Sequence, residues 1–141
     1  MKATFTLTVP ESKRLIAKGV KELPEVQEAL KEHKMIVAGG TTNGYVAEEL
    51  TEASLDKKYY TAGTVSEGLH CSTASDKRIN SLTMKAGEEL DEDWLGFLDG
   101  FNSSDVFIKG ANAFDGEGVA GVLAGHPKGG TIGQAVGILV A

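Results

Sequence analysis

The chain has one cysteine, Cys71, so it can form no disulfide of its own. Its first residues, Met1-Lys2-Ala3-Thr4-Phe5-Thr6, lack the apolar core of a secretory signal, and the two absences together predict a cytoplasmic location. No run approaches the ~18 apolar residues of a membrane-spanning helix. The most apolar segment, 132–141, is far too short, which predicts no membrane contact. A surplus of positive charge is missing too. Lys and Arg number 14 against 20 Asp and Glu, a net charge of −6, whereas a general nucleic-acid binder needs a basic face to displace counterions from phosphates. Zinc-ligand spacing of His and Cys is absent, so the sequence predicts no metal site, and no motif calls for a cofactor.

Glycine is in excess, with 18 of 141 residues, nearly twice the usual share of about 7%. The length suits one domain, residues 1–141, and the glycines cluster without a collagen period. They gather in turns at 39–44, 109–118 and 125–133, where the backbone needs a positive φ or close approach to a ligand.

Hydrophobic spacing supplies the elements between those turns. Ala3, Phe5, Leu7 and Val9 alternate with threonines, predicting a half-buried strand over 3–9 that Pro10 ends. Leu15, Ile16, Val20 and Leu23 then form a helical stripe, and Pro24 opens a second helix with Val26, Ala29 and Leu30 inward. Met35-Ile36-Val37-Ala38 predicts a strand buried on both faces, and a helix follows the 39–44 turn. Residues 51–81 are the least legible, with short strands possible at 59–65 and 79–84. An acidic amphipathic helix is predicted over 88–98, with Leu90, Trp94, Leu95 and Leu98 inward. Strands at 106–108 and 119–124 and a helix at 131–141 follow. This alternation predicts an α/β fold with a mostly parallel, Rossmann-like sheet and helices on both faces. The apolar ending of the sequence suggests a further continuation of the chain or a homo-oligomeric contact.

Each glycine-rich turn has two readings. In 39–44, Gly40, Thr41, Thr42 and Asn43 precede a helix whose free N–H groups can hold a phosphate or carboxylate; the same residues also serve as an ordinary N-cap. Lys109, Asn112 and Asp115 follow a buried strand, where open α/β sheets place their ligands, yet Asp115-Gly116 also makes a plain turn between two strands. Lys128, Gly129, Gly130 and Thr131 again lead into a helix start. They do not form a P-loop, because the lysine precedes the glycine pair. His126 and the His70-Cys71 pair have no partner motif, so loop and structural roles respectively account for them. The carboxylates Glu88, Glu89, Asp91, Glu92 and Asp93 suit a solvated helix start.

In order, Gly40-Thr41-Thr42-Asn43 before a helix, Asp105-Val106-Phe107-Ile108-Lys109-Gly110-Ala111-Asn112, and Lys128-Gly129-Gly130-Thr131 resemble the motifs of one superfamily. It includes ribose-5-phosphate isomerase, the sugar-phosphate-sensing domains of DeoR-type repressors and the CoA transferases. The resemblance implies a Rossmann-like sheet with its ligand at the strand C-termini. Gly40, Thr41 and Thr42 would bind an anion, Asn112 and Asp115 a polyol or carbonyl, and Lys128 would take the lysine position of the Lys-Gly-Gly turn. The isomerase's paired-carboxylate turn is replaced here by Lys109-Gly110-Ala111-Asn112, which leaves Asp115 as the nearby carboxylate.

The expected function is therefore binding of a small anionic metabolite, phosphorylated or carboxylated, with isomerase- or transferase-like chemistry. Asp115 would act as base and Lys109 would stabilise negative charge. The alternative is a non-catalytic ligand-sensing or interaction module built on the same pocket.

Overall fold

The computed structural model describes residues 2–141. Helices α1 (Val9–Lys21) and α2 (Pro24–Glu32) come first, then strand β1 (Lys34–Val37) and helix α3 (Asn43–Thr51). A hairpin of β2 (Gly63–Ser66) and β3 (Leu69–Ser72) precedes β4 (Leu82–Lys85), β5 (Glu88–Leu90) and α4 (Trp94–Leu98). Strand β6 (Val106–Ile108), a small hairpin of β7 (Ala113–Phe114) and β8 (Ala120–Gly121), and α5 (Gly130–Leu139) follow. Among the described residues, no helix is long and apolar enough to cross a membrane.

The central sheet runs β5-β4-β1-β6. Only β1 and β6 are parallel; β4 pairs antiparallel with both β1 and β5. This overturns the expected mostly parallel, Rossmann-like sheet: the protein is a small α+β fold with a mixed sheet. The reversal is made at Ala86 and Gly87, both with positive φ (49° and 80°), the geometry of a tight hairpin turn. Lys85 consequently faces Glu88, and Thr83 faces Leu90. The acidic helix expected over 88–98 is instead a strand followed by the short α4. That helix starts only where the Asp93 carboxylate accepts the Gly96 N–H at 3.2 Å.

Two further expectations fail for local reasons. Residues 3–8 form no strand, because Thr8 and Glu11 make a reciprocal capping box that starts α1 at Val9, with Pro10 inside the first turn. An alternating segment forms a strand only if a sheet edge receives it, and here none does: residues 3–8 pair with no strand, and Val9 passes into the helix. The strand expected over 119–124 shrinks to Ala120–Gly121. On α1 only Ala17 is fully buried, while Leu15 and Ile16 remain about half exposed, as does Leu23 just before α2.

The two faces of the sheet are covered separately. Met35 and Val37 of β1 pack with Ala17, Val26, Ala29 and Val46 from α1, α2 and α3, joined by Val106 and Ile108 of β6. Ile36 packs on the other side with Phe97, Leu98 and Ala135 from α4 and α5, joined by Phe107. Successive residues of β1 thus alternate between two cores, as the period of two requires.

Two buried polar groupings fix the end of the sheet that carries the turns. The Tyr60 hydroxyl donates to the Val37 carbonyl at 2.6 Å and accepts the Leu82 N–H at 2.9 Å. It therefore sits between β1 and β4 at their last register pair, and burial pushes its ionisation up. Glu48 of α3 accepts hydrogen bonds from Arg14 of α1, from Lys57, and from the Leu55 N–H, while Arg14 also reaches Glu49 at 2.7 Å. Burial alone would raise the Glu48 carboxyl, but the bonds from Lys57, Leu55 and Arg14 outweigh it and hold it down at about 2.

Tyr60→Phe should therefore lower stability by about 1–3 kcal/mol in urea denaturation, because it orphans a buried carbonyl and a buried N–H together. For Glu48 the folded value lies below the unfolded one, 4.5. Its stabilisation is complete above that pH and is lost as the pH falls toward 2. Glu48→Gln should destabilise the protein at neutral pH and flatten the acid limb of a melting-temperature profile; an unchanged limb would refute the role given to this carboxylate.

Candidate functional site

Strands β1 and β6 are parallel and end at the same edge, so the turns that follow them meet. The Ala38 N–H donates to the Ile108 carbonyl at 2.9 Å. Asn43, 3% exposed, donates through Nδ2 to the carbonyls of Ala38 (2.8 Å) and Ile108 (3.2 Å). Its Oδ1 lies 3.7 Å from where a Cβ on Gly110 would sit. The 39–44 turn is also tied to the middle of the chain, since the Gly40 N–H donates to the Tyr60 carbonyl at 2.7 Å.

A cavity of about 840 Å³ opens at this junction, within the size range of small-molecule sites. Gly40, Thr41, Thr42, Asn43, Lys109, Asn112, Gly129, Gly130 and Thr131 all line it. All three glycine-rich turns thus contribute to one space. Two residues expected at the site do not line it. Asp115 is exposed and accepts the N–H groups of Val119 and Glu117 through Oδ1, both at 2.9 Å, bonds that hold its carboxyl below the usual range. It fastens the β7–β8 turn, the structural reading its sequence also allowed. The Lys128 side chain is exposed, and its N–H donates to His126 Nδ1 at 3.1 Å.

Other lining residues were not anticipated. Lys13 of α1 donates through Nζ to Thr41 Oγ1 at 2.7 Å, a contact between residues 28 positions apart that no sequence period signals. Thr61, Thr64, His70, Cys71 and Ser72 come from the segment that was least legible, where the β2–β3 hairpin folds over the cavity. His126 joins them from the third turn.

The electrostatics of the lining are one-sided. It holds Lys13, Lys109, His70 and His126 and no Asp or Glu, in a chain with 20 acidic residues. The starts of α3 and α5 both line it. Among the described residues no protein group accepts from the N–H groups of Thr41, Thr42 and Asn43, or of Gly130, Thr131 and Ile132. Each helix start adds about half a positive charge. Lys109 is half-buried, and desolvation lowers its pKa. Carboxylates lie beyond this lining. Asp91, Glu92 and Asp93 border a smaller adjoining cleft of about 360 Å³, which shares Gly39, Ala62 and Thr131 with the main cavity.

The third turn depends on the close approach of two glycines. Gly129 has φ +73°, and a Cβ there would lie 2.9 Å from Gly133 Cα, while a Cβ on Gly133 would collide with the Lys128 carbonyl. Gly133→Ala should cost about 1–3 kcal/mol through this overpacking and displace the start of α5. Gly137→Ala, in the same helix with nothing within 4 Å, should be neutral or stabilising by up to about 1 kcal/mol. Thermal unfolding of both variants checks the contrast, and equal effects would remove the role given to Gly133.

No protein-family model, curated protein or solved structure matches the chain.

Proposed function

We propose that this protein binds a small phosphorylated or carboxylated metabolite in the cavity between its three glycine-rich turns. The observation that carries the reading is a lining with two lysines, two histidines and no carboxylate in a chain of net charge −6. Cations drawn into one cavity while the acidic residues stay outside it create a local positive potential that the net charge opposes elsewhere. The two helix starts supply N–H donors suited to phosphate or carboxylate oxygens, and Lys13, already on Thr41, supplies a point charge. The order of the turns, similar to that of the ribose-5-phosphate isomerase superfamily, makes sugar phosphates the first compounds to try. The mixed sheet is not the one that resemblance implied.

A second reading is ligand sensing without chemistry: the lining holds no carboxylate, so the paired-carboxylate turn of the isomerase has no counterpart there, and its bases are the imidazoles of His70 and His126 and the Lys109 amine. Asp115, fastening a hairpin turn outside the lining, does not support that chemistry.

Inorganic phosphate, sugar phosphates and small carboxylates should raise the melting temperature in a concentration-dependent way, a ligand at a hundred times its Kd adding about 2.7 kcal/mol. Lys13→Ala should weaken the effect, and Asp115→Asn should leave it unchanged. Absence of a shift from every anion refutes the binding proposal. Product analysis with any compound that binds separates turnover from sensing.

A further inference from the structure

Lys109 stands apart from the other charged groups of the cavity. It is the first residue after β6, half-buried in the wall, and its Nζ donates to the carbonyl of its own neighbour Gly110 at 3.0 Å. The ion pairs among the described residues engage Arg14, His33, Lys57 and Lys58, so no carboxylate holds Lys109 in its charged form. The same cavity is also lined by Lys13 and the starts of α3 and α5. The Lys109-Gly110 turn lies directly against α3, because Asn43 Nδ2 bonds the Ile108 carbonyl and Asn43 Oδ1 faces Gly110. An amine in a partly desolvated site without a counter-ion favours its neutral, nucleophilic form.

We propose that Lys109 is a covalent amine that forms an imine with a small phosphorylated aldehyde or ketone, whose phosphate is held by the starts of α3 and α5. The proposal rests on the anion-binding reading above and names its substrate class. The lone pair of neutral Nζ attacks the carbonyl carbon, forming a C–N bond while the C=O π pair moves to oxygen and one Nζ proton is transferred to it, giving a neutral carbinolamine. The resulting carbinolamine then loses its hydroxyl, with a further proton, as water. The C=N bond forms, leaving a protonated imine. One amine, one carbonyl and one proton become one iminium and one water, and nothing is oxidised or reduced. The lowered pKa of Lys109 is in keeping with this role, whereas Lys13 is engaged by Thr41 and Lys128 is exposed.

The test uses the full chain with glyceraldehyde 3-phosphate, then sodium cyanoborohydride to fix any imine as a stable secondary amine, read by intact mass and peptide mapping. Labelling should fall on Lys109, be lost in Lys109→Arg, be suppressed by excess inorganic phosphate, and be far weaker with unphosphorylated glyceraldehyde. Its rate should also rise at lower pH than that of exposed lysines. Label spread over the exposed lysines, or unchanged in Lys109→Arg, overturns the proposal. If phosphate raises the melting temperature yet no adduct maps to Lys109, the imine is refuted while the anion site stands. If phosphate gives neither shift nor competition and no sugar phosphate or carboxylate raises the melting temperature, both fall together.

Discussion

The Tyr60 hydroxyl, wedged between the Val37 carbonyl and the Leu82 N–H, sets the geometry at the end of the sheet where the cavity opens. Through its backbone carbonyl the same residue holds the Gly40 N–H, so strands β1 and β4 and the first glycine-rich turn share one buried residue. Asn43 performs the corresponding task between β1 and β6. A buried polar group is costly unless paired, and both residues are satisfied only with the three strands in this arrangement.

A second constraint places positive charge against the overall acidity. Arg14 is locked to Glu48 and Glu49, and this seats α1 on α3 with Lys13, the preceding residue, over Thr41. The two helices that begin at the cavity come from turns on opposite faces of the sheet, since α3 belongs to one core and α5 to the other. The parallel pair, β1 and β6, delivers the turns at 39–44 and 109–112 to a common edge, the position at which open sheets generally hold ligands, and α5 begins at that same edge after the β7–β8 hairpin. One parallel pair is sufficient for this, and the antiparallel β4 and β5 extend the sheet without occupying the mouth.

Much of the fold was legible where short-range pattern and tertiary need agree. The strands at Met35 and Val106, and the helices after Pro24, Asn43 and Gly130, stand close to where apolar spacing and glycine punctuation put them. Legibility failed where two local signals competed. At 3–8, alternation was overruled by the Thr8–Glu11 capping box, and at 88–98, helical spacing was overruled by the Ala86-Gly87 reversal that pairs β5 with β4. Within the site, the glycine-turn residues were visible because turn chemistry is local. Lys13 and the β2–β3 hairpin were not, because their approach depends on packing between distant segments.

By itself, then, the sequence determined that glycine-rich turns follow the strands at Met35 and Val106 and precede the helix starts at Asn43 and Gly130, since glycine, threonine and asparagine act on the backbone within a few residues. Tertiary structure decided which turns meet, which lysine enters their common cavity and which carboxylate stays outside. Asp115 and Lys109 look equally available in one dimension; only the pairing of β6 with β1 puts Lys109 in the cavity wall, while the β7–β8 hairpin draws Asp115 into its own turn. Such distinctions arise from register and burial, which depend on partners far away in sequence.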